Sequence, residues 1–344
     1  MSQKDYVKEF KGKYSYLMLC HFFERLCHLN VAVIGDTIID HYIFSILKGR
    51  AIKDPILSVE YDSEEYYPGG VLAVANHIAD FVGSVTVFTI VGDRRPMQEF
   101  IEKSLKPNIQ LLQFVKKNSP TIVKQRYLDA YRGHKLFKIE YINDAPISEE
   151  LCADLERAFN ELDKYDIVIV SDFGHGFLNE RLRRKIEEKS KFLCVNAQSN
   201  SANMGYNYFT LYKKADFVSM DEQEARLPLL RRFEDIELVA QELAEKFHID
   251  PFLITRGKNG SNFYLNGKFY QAPILTQSVK DTVGAGDASF ALSSLAVYAK
   301  ADADIIPFLA NCAGGIASNI IGNRESISKE SLHSFIRGLY NGME

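Results

Sequence analysis

Short apolar runs alternate along the chain with longer amphipathic stretches, and this rhythm predicts strands and helices in turn. Residues 4–29 interleave charge and bulk at helical spacing, with Tyr6, Phe10, Leu17, Phe22 and Leu26 as the buried stripe of a helical N-terminal extension, residues 1–29. Asn30–Ile34 then reads as a buried strand that stops at Gly35 and Asp36, with Asp40 four residues on. From His41 to Tyr67 the pattern gives short β-like pieces, such as Ile56–Tyr61, with charged breaks between them. Pro68, Gly69 and Gly70 end that segment and open a helix over Val71–Phe81 that carries Asn76; Thr86–Ile90 is another strand. Thr121–Leu128 and Lys135–Tyr141 flank Tyr131, Arg132 and Gly133 and read as a hairpin.

The second half repeats a βα rhythm. Strands fall at Ile167–Ser171, Phe192–Asn196, Phe217–Ser219 and Phe252–Thr255, with helices near Glu180–Ser190 and from about Asp221. Asn266 and Gly267 mark a tight turn within Tyr264–Lys268, and Ile305–Ile320 is the last apolar helix. Strands alternating with helices predict an α/β fold with a doubly wound, mostly parallel sheet flanked by helices. No Pro- or Ser-rich linker divides the chain, so residues 30–344 read as one domain with a small β-sheet lid inserted from about 41–67 and 119–142. In such a sheet Asp36, Asp172, Asn196, Asp221 and Arg256 lie at carboxyl ends of strands, where open α/β folds bind ligands.

Composition narrows the classes of function. With 344 residues, 46% of them apolar and 25% charged, the chain suits one large α/β domain. A net charge of −4 gives no electrostatic reason to expect nucleic acid or an anionic membrane as partner. The longest apolar candidate for a membrane segment, Tyr16–Phe23, is too short to span and lacks the layout of a signal peptide, so the cytoplasm is the expected location. The 5 cysteines contain no Cys-x-x-Cys pair and the 8 histidines form no metal-binding spacing, which argues against a disulfide framework or a protein metal cage.

Chemistry concentrates in Asp281–Asp287, which reads Asp-Thr-Val-Gly-Ala-Gly-Asp before an apolar helical run. Gly284 and Gly286, with Ala285 between them, let consecutive backbone N–H groups face an anion at the start of a helix. Asp287 sits in the first helical turn. If those amides hold a phosphoryl group while a hydroxyl attacks it, Asp287 can accept the hydroxyl proton, an arrangement that suits phosphoryl transfer. Amide donors of this kind contribute roughly 3–4 kcal/mol each and a placed base about 10²–10⁴ in rate. The same seven residues also make a plain tight turn with an acidic helix start. A Walker loop is excluded because Asp287 and Ala288 follow the last glycine where Lys and Ser or Thr belong, and a dinucleotide fingerprint fits poorly because Ser289 takes its third-glycine place and the run falls late in the chain rather than in the first βα unit. Strand alternation puts Lys124 and Arg126 on one face, where they can clamp a phosphate or simply meet solvent.

The string Asp281–Asp287 resembles the C-terminal signature of the ribokinase family, the PfkB carbohydrate kinases, in which the last Asp is the catalytic base and the glycines form an anion hole. Within that family the chain is most similar to the kinase domain of heptose 7-phosphate kinases, over roughly residues 30–325. The likeness is carried by Gly35-Asp36 with Asp40 and Tyr42, Pro68-Gly69-Gly70 with Asn76, Thr121 with Lys124 and Arg126, Asp166–Gly176, Thr255–Gly260 and Asp281–Asp287. The resemblance implies ATP and Mg²⁺ as cofactors, with Asn196, Asp221, Glu224, Thr255, Arg256, Gly257 and Gly260 on the nucleotide side and Glu224 orienting magnesium through water. It implies a sugar or sugar-phosphate acceptor held by Asp36, Asp40, Gly69, Gly70, Asn76, Lys124 and Arg126.

Four departures from the family pattern stand out. Ala73 occupies the place of an Asn that touches the sugar. His175 follows Asp172-Phe173-Gly174 where heptose kinases carry Lys. Asn196-Ala197-Gln198 replaces Asp-Pro-Lys, with Lys213 and Lys214 as the next cations to take over a phosphate contact. Asp221-Glu222-Gln223-Glu224 replaces Asn-x-x-Glu. The departures favour a related sugar over the heptose itself. Two other readings follow: a PfkB kinase for an unphosphorylated sugar or nucleoside, and a nonenzymatic sugar-nucleotide sensor or scaffold. Nothing after Gly322 is long enough for a nucleotidyltransferase domain, so that activity is expected on a separate partner, and exposed lid strands suggest a homodimer through the lid.

Overall fold

The computed structural model describes residues 2–203, 205–276 and 278–342. Thirteen strands are β1 (Asn30–Gly35), β2 (Thr37–Arg50), β3 (Leu57–Gly70), β4 (Ser84–Arg94), β5 (Ile109–Pro120), β6 (Ile122–Asp129), β7 (Lys135–Tyr141), β8 (Ile167–Asp172), β9 (Leu193–Ala197), β10 (Phe217–Asp221), β11 (Phe252–Thr255), β12 (Ser261–Leu265) and β13 (Lys268–Ala272). Nine form one sheet in the order β13-β12-β11-β10-β9-β8-β1-β4-β5, parallel from β11 to β5 with β12 and β13 antiparallel at one edge. Chain order reverses on the two sides of β1, so the crevice at the carboxyl ends of β1 and β8 is the topological switch point.

Alternation along the central strands feeds two cores. Val31 and Val33 of β1 and Ile167 and Ile169 of β8 face one side, packed with the helices Val71–Ala79, Ala285–Tyr298 and Ile305–Ala317. Ala32, Ile34, Val168 and Val170 face the other, under Glu149–Phe159 and Glu180–Lys189. Strands buried on both faces are near-continuously apolar, which is why the sequence pattern finds β1, β8 and β11 within a residue of their bounds.

The expected insertion is a second sheet, ordered β3-β2-β6-β7, in which β2 pairs antiparallel with β3 and parallel with β6. Its β2 and β3 are single strands of 14 residues each, longer than the short pieces expected from the sequence. Their charged positions, among them Lys48, Asp62 and Glu64, sit on a sheet with one solvated face, where charge does not break a strand. Because β2 leaves the main sheet directly after Asp36 and β3 returns at Gly70, the second sheet stands over the carboxyl edge.

The N-terminal extension is two helices, Gln3–Lys13 and Tyr16–Glu24. Tyr14 is extended and the Ser15 hydroxyl accepts the Met18 N–H at 3.2 Å, starting a new helix with a new phase. Leu17 is therefore exposed, while Leu19 and Phe23 are buried in its place. Phe10 stacks on Phe308 at 4.0 Å, which joins the extension to the main core. Strand β5 and the helices Glu149–Phe159 and Lys329–Asn341 fall outside the sequence expectations. The helix expected from Asp221 stops at Arg226, because Pro228 cannot continue it, and the main helix begins at Ile236. The turn at Asn266–Gly267 has φ of 50° and 75°, as a two-residue hairpin of matched twist requires.

Candidate active site

The glycine turn is built by what surrounds Asp281. Its carboxylate accepts the Val283 N–H at 3.1 Å, the Gly322 N–H at 3.1 Å and the Tyr42 hydroxyl at 2.6 Å, and pairs with Lys135 Nζ at 2.6 Å. Tyr42 and Lys135 belong to the second sheet, so that sheet is tied to the turn itself. Gly284 has φ of 83°, and a Cβ there would lie 2.1 Å from Asn323 Oδ1, so only glycine fits. A Cβ on Gly286 would meet nothing within 4 Å, which leaves open space in front of the helix start.

Asp287 lies in the first turn of the helix Ala285–Tyr298 and is buried. Burial pushes its carboxyl up to about 7, and the hydrogen bond from Gln198 pulls the other way. Gln198 Nε2 donates at 2.9 Å to both Asp287 Oδ1 and Asn196 Oδ1. Gln198 is thus the neutral neighbour that orients the acid. Sequence reading singled it out only as the residue replacing a lysine, and its contact with Asp287 depends on the loop after β9.

The second sheet brings a different set of groups to the switch point. Asp36 is 1% exposed and accepts the Phe173 N–H at 3.2 Å, while its other oxygen has no partner among the described residues. Burial and the neighbouring Asp172 charge push the Asp36 carboxyl up to about 7. Asp40 pairs with Arg126 and stands in register with Lys124 across the β2–β6 ladder. Gly69 lets β3 lie against Asp40, since a Cβ there would be 2.5 Å from Asp40 Oδ2; Gly70, at φ 56°, closes on the Asp36 carbonyl. Lys124 is buried, has no ion-pair partner among the described residues, and holds its ammonium 5.4 Å from the centre of the Phe173 ring. Burial pulls its pKa down. Beside it, His175 is buried with neither ring nitrogen bonded among the described residues, and burial together with the charges of Lys124 and Lys116 drives it down to about 3. The imidazole is neutral at physiological pH, so it does not replace the lysine as a cation. Asn76 is not brought into this group: its amide donates to the Ser104 carbonyl at 2.8 Å and accepts the Lys106 N–H at 3.1 Å.

Farther along the edge, Asp221 and Glu224 form a capping box, with Glu224 N–H to Asp221 Oδ1 at 2.7 Å and Asp221 N–H to Glu224 Oε2 at 2.8 Å. The other Glu224 oxygen accepts the Ser199 N–H at 2.8 Å. Burial raises the Glu224 carboxyl, and the charges of Asp221 and Asp287 add to it. A buried carboxyl raised by two neighbouring carboxylates is a donor set that a hydrated divalent cation relieves, so this corner fits magnesium held through water. Among the described residues no three His, Cys, Asp or Glu side chains converge as a direct metal cage. Asn196 Nδ2 donates to the Ser219 carbonyl at 2.9 Å. Thr255 ends β11, and Arg256 pairs with Glu222 at 2.9 Å. A Cβ on Gly257 would meet open space, whereas one on Gly260 would lie 2.0 Å from the Ala272 carbonyl oxygen, so Gly260 serves the β12–β13 packing. Lys213 and Lys214 lie at the other edge of the sheet: they precede β10, and the Lys214 N–H donates to Glu187 at 3.3 Å. They cannot stand in for the lost phosphate ligand at Gln198.

Comparison with known proteins extends this geometry. The chain is similar to the bifunctional protein HldE of Syntrophotalea carbinolica, 25% identical over 329 residues that cover 91% of this chain and 64% of that protein. It is 27% identical over 302 residues to the bifunctional protein HldE of Shewanella loihica, covering 85% and 60% respectively. The chain therefore spans about three fifths of the length of these relatives. In three dimensions it is similar to phosphofructokinase-2 from Escherichia coli in complex with substrates and products, with a TM-score of 0.72 at 16% identity over 91% of this chain and 99% of that one. Ribokinase from Thermotoga maritima gives a TM-score of 0.68 at 16% identity, covering 90% and 99%. These structures share the ribokinase-like α/β fold. The model of the pfkB family carbohydrate kinases matches residues 28–327, beginning where the two N-terminal helices end and running through the glycine turn, and this chain belongs to that family, whose members are phosphotransferases with an alcohol acceptor.

Proposed function

We propose that this chain transfers the γ-phosphoryl group of ATP to a hydroxyl of a sugar phosphate of the heptose 7-phosphate class, with Asp287 as general base. The observation that carries the reading is a carboxyl held near 7 in the first turn of a glycine-capped helix, with open space in front of it. A base with that pKa is largely ionised just above neutrality and still basic enough to take a proton as the hydroxyl oxygen becomes nucleophilic. The Ala285 and Gly286 amides, with Gly284 setting the turn, stabilise charge on the transferring group. Gln198 keeps Asp287 turned toward the acceptor.

The acceptor lies under the second sheet, which acts as a lid. Asp36 and Asp40 accept sugar hydroxyls, Gly69 and Gly70 allow close approach, and Lys124 takes the phosphate that the acceptor already carries. Nucleotide contacts run along Asn196, Asp221, Thr255, Arg256 and Gly257, and Mg²⁺ held through water near Glu224 neutralises charge on the phosphates. A second reading, an unphosphorylated sugar or nucleoside, is favoured by the Arg126–Asp40 pair, which leaves Lys124 as the one unpaired cation on that strand among the described residues. Exposed Tyr61, Phe137 and Ile139 on the second sheet support a homodimer through the lid. A cytoplasmic location and a nucleotidyltransferase acting downstream complete the proposal. No helix among the described residues is long and apolar enough to cross a membrane.

The test is ADP release with ATP and magnesium across a panel of sugars and sugar phosphates that includes heptose 7-phosphate. The highest kcat/KM on the heptose phosphate is the expected result. Preference for an unphosphorylated sugar would select the second reading, and no turnover on any member would overturn the kinase assignment in favour of a sensor.

A further inference from the structure

Asp281 is buried, and each of its carboxylate oxygens bonds one group of the second sheet and one backbone N–H beside the glycine turn. Oδ1 accepts from Lys135 Nζ at 2.6 Å and from the Val283 N–H at 3.1 Å; Oδ2 accepts from the Tyr42 hydroxyl at 2.6 Å and from the Gly322 N–H at 3.1 Å. Burial pushes the carboxyl up, but the bonds from Lys135 and Tyr42 outweigh it and hold the group below the usual carboxylate range. Two segments of the turn's frame therefore hang on one ionised group. From Gly322 the frame continues to Asn323, whose side chain closes on Gly284 so tightly that no Cβ fits between them. Gly284 in turn directs the Ala285 and Gly286 amides into the helix start.

Lys135 reaches Asp281 from outside the core. It opens β7, the edge strand of the second sheet, and its side chain is 40% exposed. Its ammonium also lies 5.9 Å from the centre of the Tyr42 ring, and the Arg126 guanidinium lies 5.5 Å from that same ring. Arg126 pairs with Asp40. A continuous run of contacts thus joins Asp40, where the acceptor is proposed to bind, to the frame of the anion hole.

We propose that Lys135 is a positioning residue: its ammonium, pinned on Asp281, fixes the glycine turn against the second sheet, so the phosphoryl site takes its working shape only while that sheet is seated over the acceptor. The ordering of the turn stands on geometry alone; the effect on phosphoryl transfer rests on the kinase reading. Lys135 is the one charged partner of Asp281 among the described residues. Without it a buried carboxylate is left uncompensated, which is strongly unfavourable. The carboxylate then takes up a proton or draws water into the turn, and in both cases its grip on the Val283 and Gly322 amides loosens.

The first measurement needs no turnover. Hydrogen–deuterium exchange of the full chain is read on peptides over residues 280–287 and 320–325 in wild type, Lys135→Ala, Lys135→Arg and a control, Lys48→Ala, which removes an exposed pair with Glu60 elsewhere on the second sheet. Lys135→Ala is expected to speed exchange of both peptides roughly tenfold while a peptide over β1 stays unchanged, and Lys48→Ala to match wild type. Unchanged exchange in Lys135→Ala, or an equal rise over β1, overturns the proposal. Lys135→Arg, which keeps the charge, is expected to stay within about threefold of wild type, and exchange as fast as in Lys135→Ala overturns the assignment to charge. Should Lys135→Ala not fold, Lys135→Gln, which keeps the length and an N–H but no charge, carries the same comparison. n-Butylammonium fits the space of the missing side chain and donates N–H bonds, so it should slow exchange in Lys135→Ala again. Tetramethylammonium at the same concentration should not, and equal effects of the two ions overturn the proposal.

Turnover gives the second reading. With ATP and sugar, Lys135→Ala is expected to lose roughly 10- to 100-fold in kcat with KM for ATP within about twofold of wild type, and n-butylammonium to restore kcat. A loosened turn with unchanged kcat overturns the role in phosphoryl transfer. Absence of wild-type turnover on every sugar would sink the kinase reading and leave the exchange result standing.

Discussion

The two ends of the cleft are built on different principles. At the end proposed for the sugar, Asp36, Lys124 and His175 are buried and incompletely partnered among the described residues, and burial shifts all three away from their charged forms. At the end proposed for the nucleotide, Arg256 and Arg226 share Glu222, and Asp221 and Glu224 cap a helix with their carboxylates bonded to backbone. Unpaired buried polar groups are unfavourable in the empty protein and become favourable when a complementary ligand supplies the missing partners. A site so built discriminates among ligands by what they leave unsatisfied. Selectivity is therefore expected at the sugar end, and a more forgiving grip at the nucleotide end.

The largest test lies between the two ends. Asp287→Asn is expected to lower kcat by about 10²–10⁴ with little change in ATP affinity, because the base acts along the reaction coordinate and not in binding. In wild type, kcat should rise with pH through about 7, since the protonated carboxyl cannot accept the hydroxyl proton. A flat profile from pH 6 to 8 would remove Asp287 from that role.

Lys124→Met separates the ends next. Loss of one charge-assisted contact of about 1.5–3 kcal/mol raises KM for a phosphorylated acceptor roughly 10- to 100-fold and leaves KM for ATP nearly unchanged. Equal losses for both substrates would show that the cation serves the whole cleft.

A smaller effect concerns stability. The Asp36 carboxyl, raised to about 7 in the fold, favours the folded state fully only below the unfolded pKa, and that contribution is lost as pH rises through about 7. Asp36→Asn should therefore raise the Tm by a few degrees at pH 8 and leave it close to wild type at pH 4, while activity falls. A variant less stable than wild type at pH 8 would refute the burial account. The smallest change is expected from Arg256→Met, a roughly two- to fivefold rise in KM for ATP, because Arg256 is partly exposed and already paired, and such pairs contribute little. A loss as large as that in Lys124→Met would erase the contrast between the ends.

Much of this molecule is legible in its sequence. Apolar runs buried on both faces mark β1, β8 and β11, and the glycines of Asp281–Asp287 mark a tight turn into a helix because only particular residue types fit a positive φ and an open helix start. Position 198 shows the limit of the same reading: its lysine is missing in the sequence, yet that Gln198 reaches Asp287 follows only from the path of the loop after β9. Lys213 and Lys214 look like substitutes along the chain and lie at the far edge of the sheet, since a strand direction is invisible in a charge pattern. The neutrality of His175, the split of the N-terminal helix at Ser15 and the exposed apolar face of the second sheet were likewise decided in three dimensions. Residue type and spacing settle which chemistry is present, because backbone geometry and hydrogen-bonding capacity are local properties. Which groups meet, and in what charge state, depends on burial and on neighbours distant in the chain, and only the tertiary structure determines those.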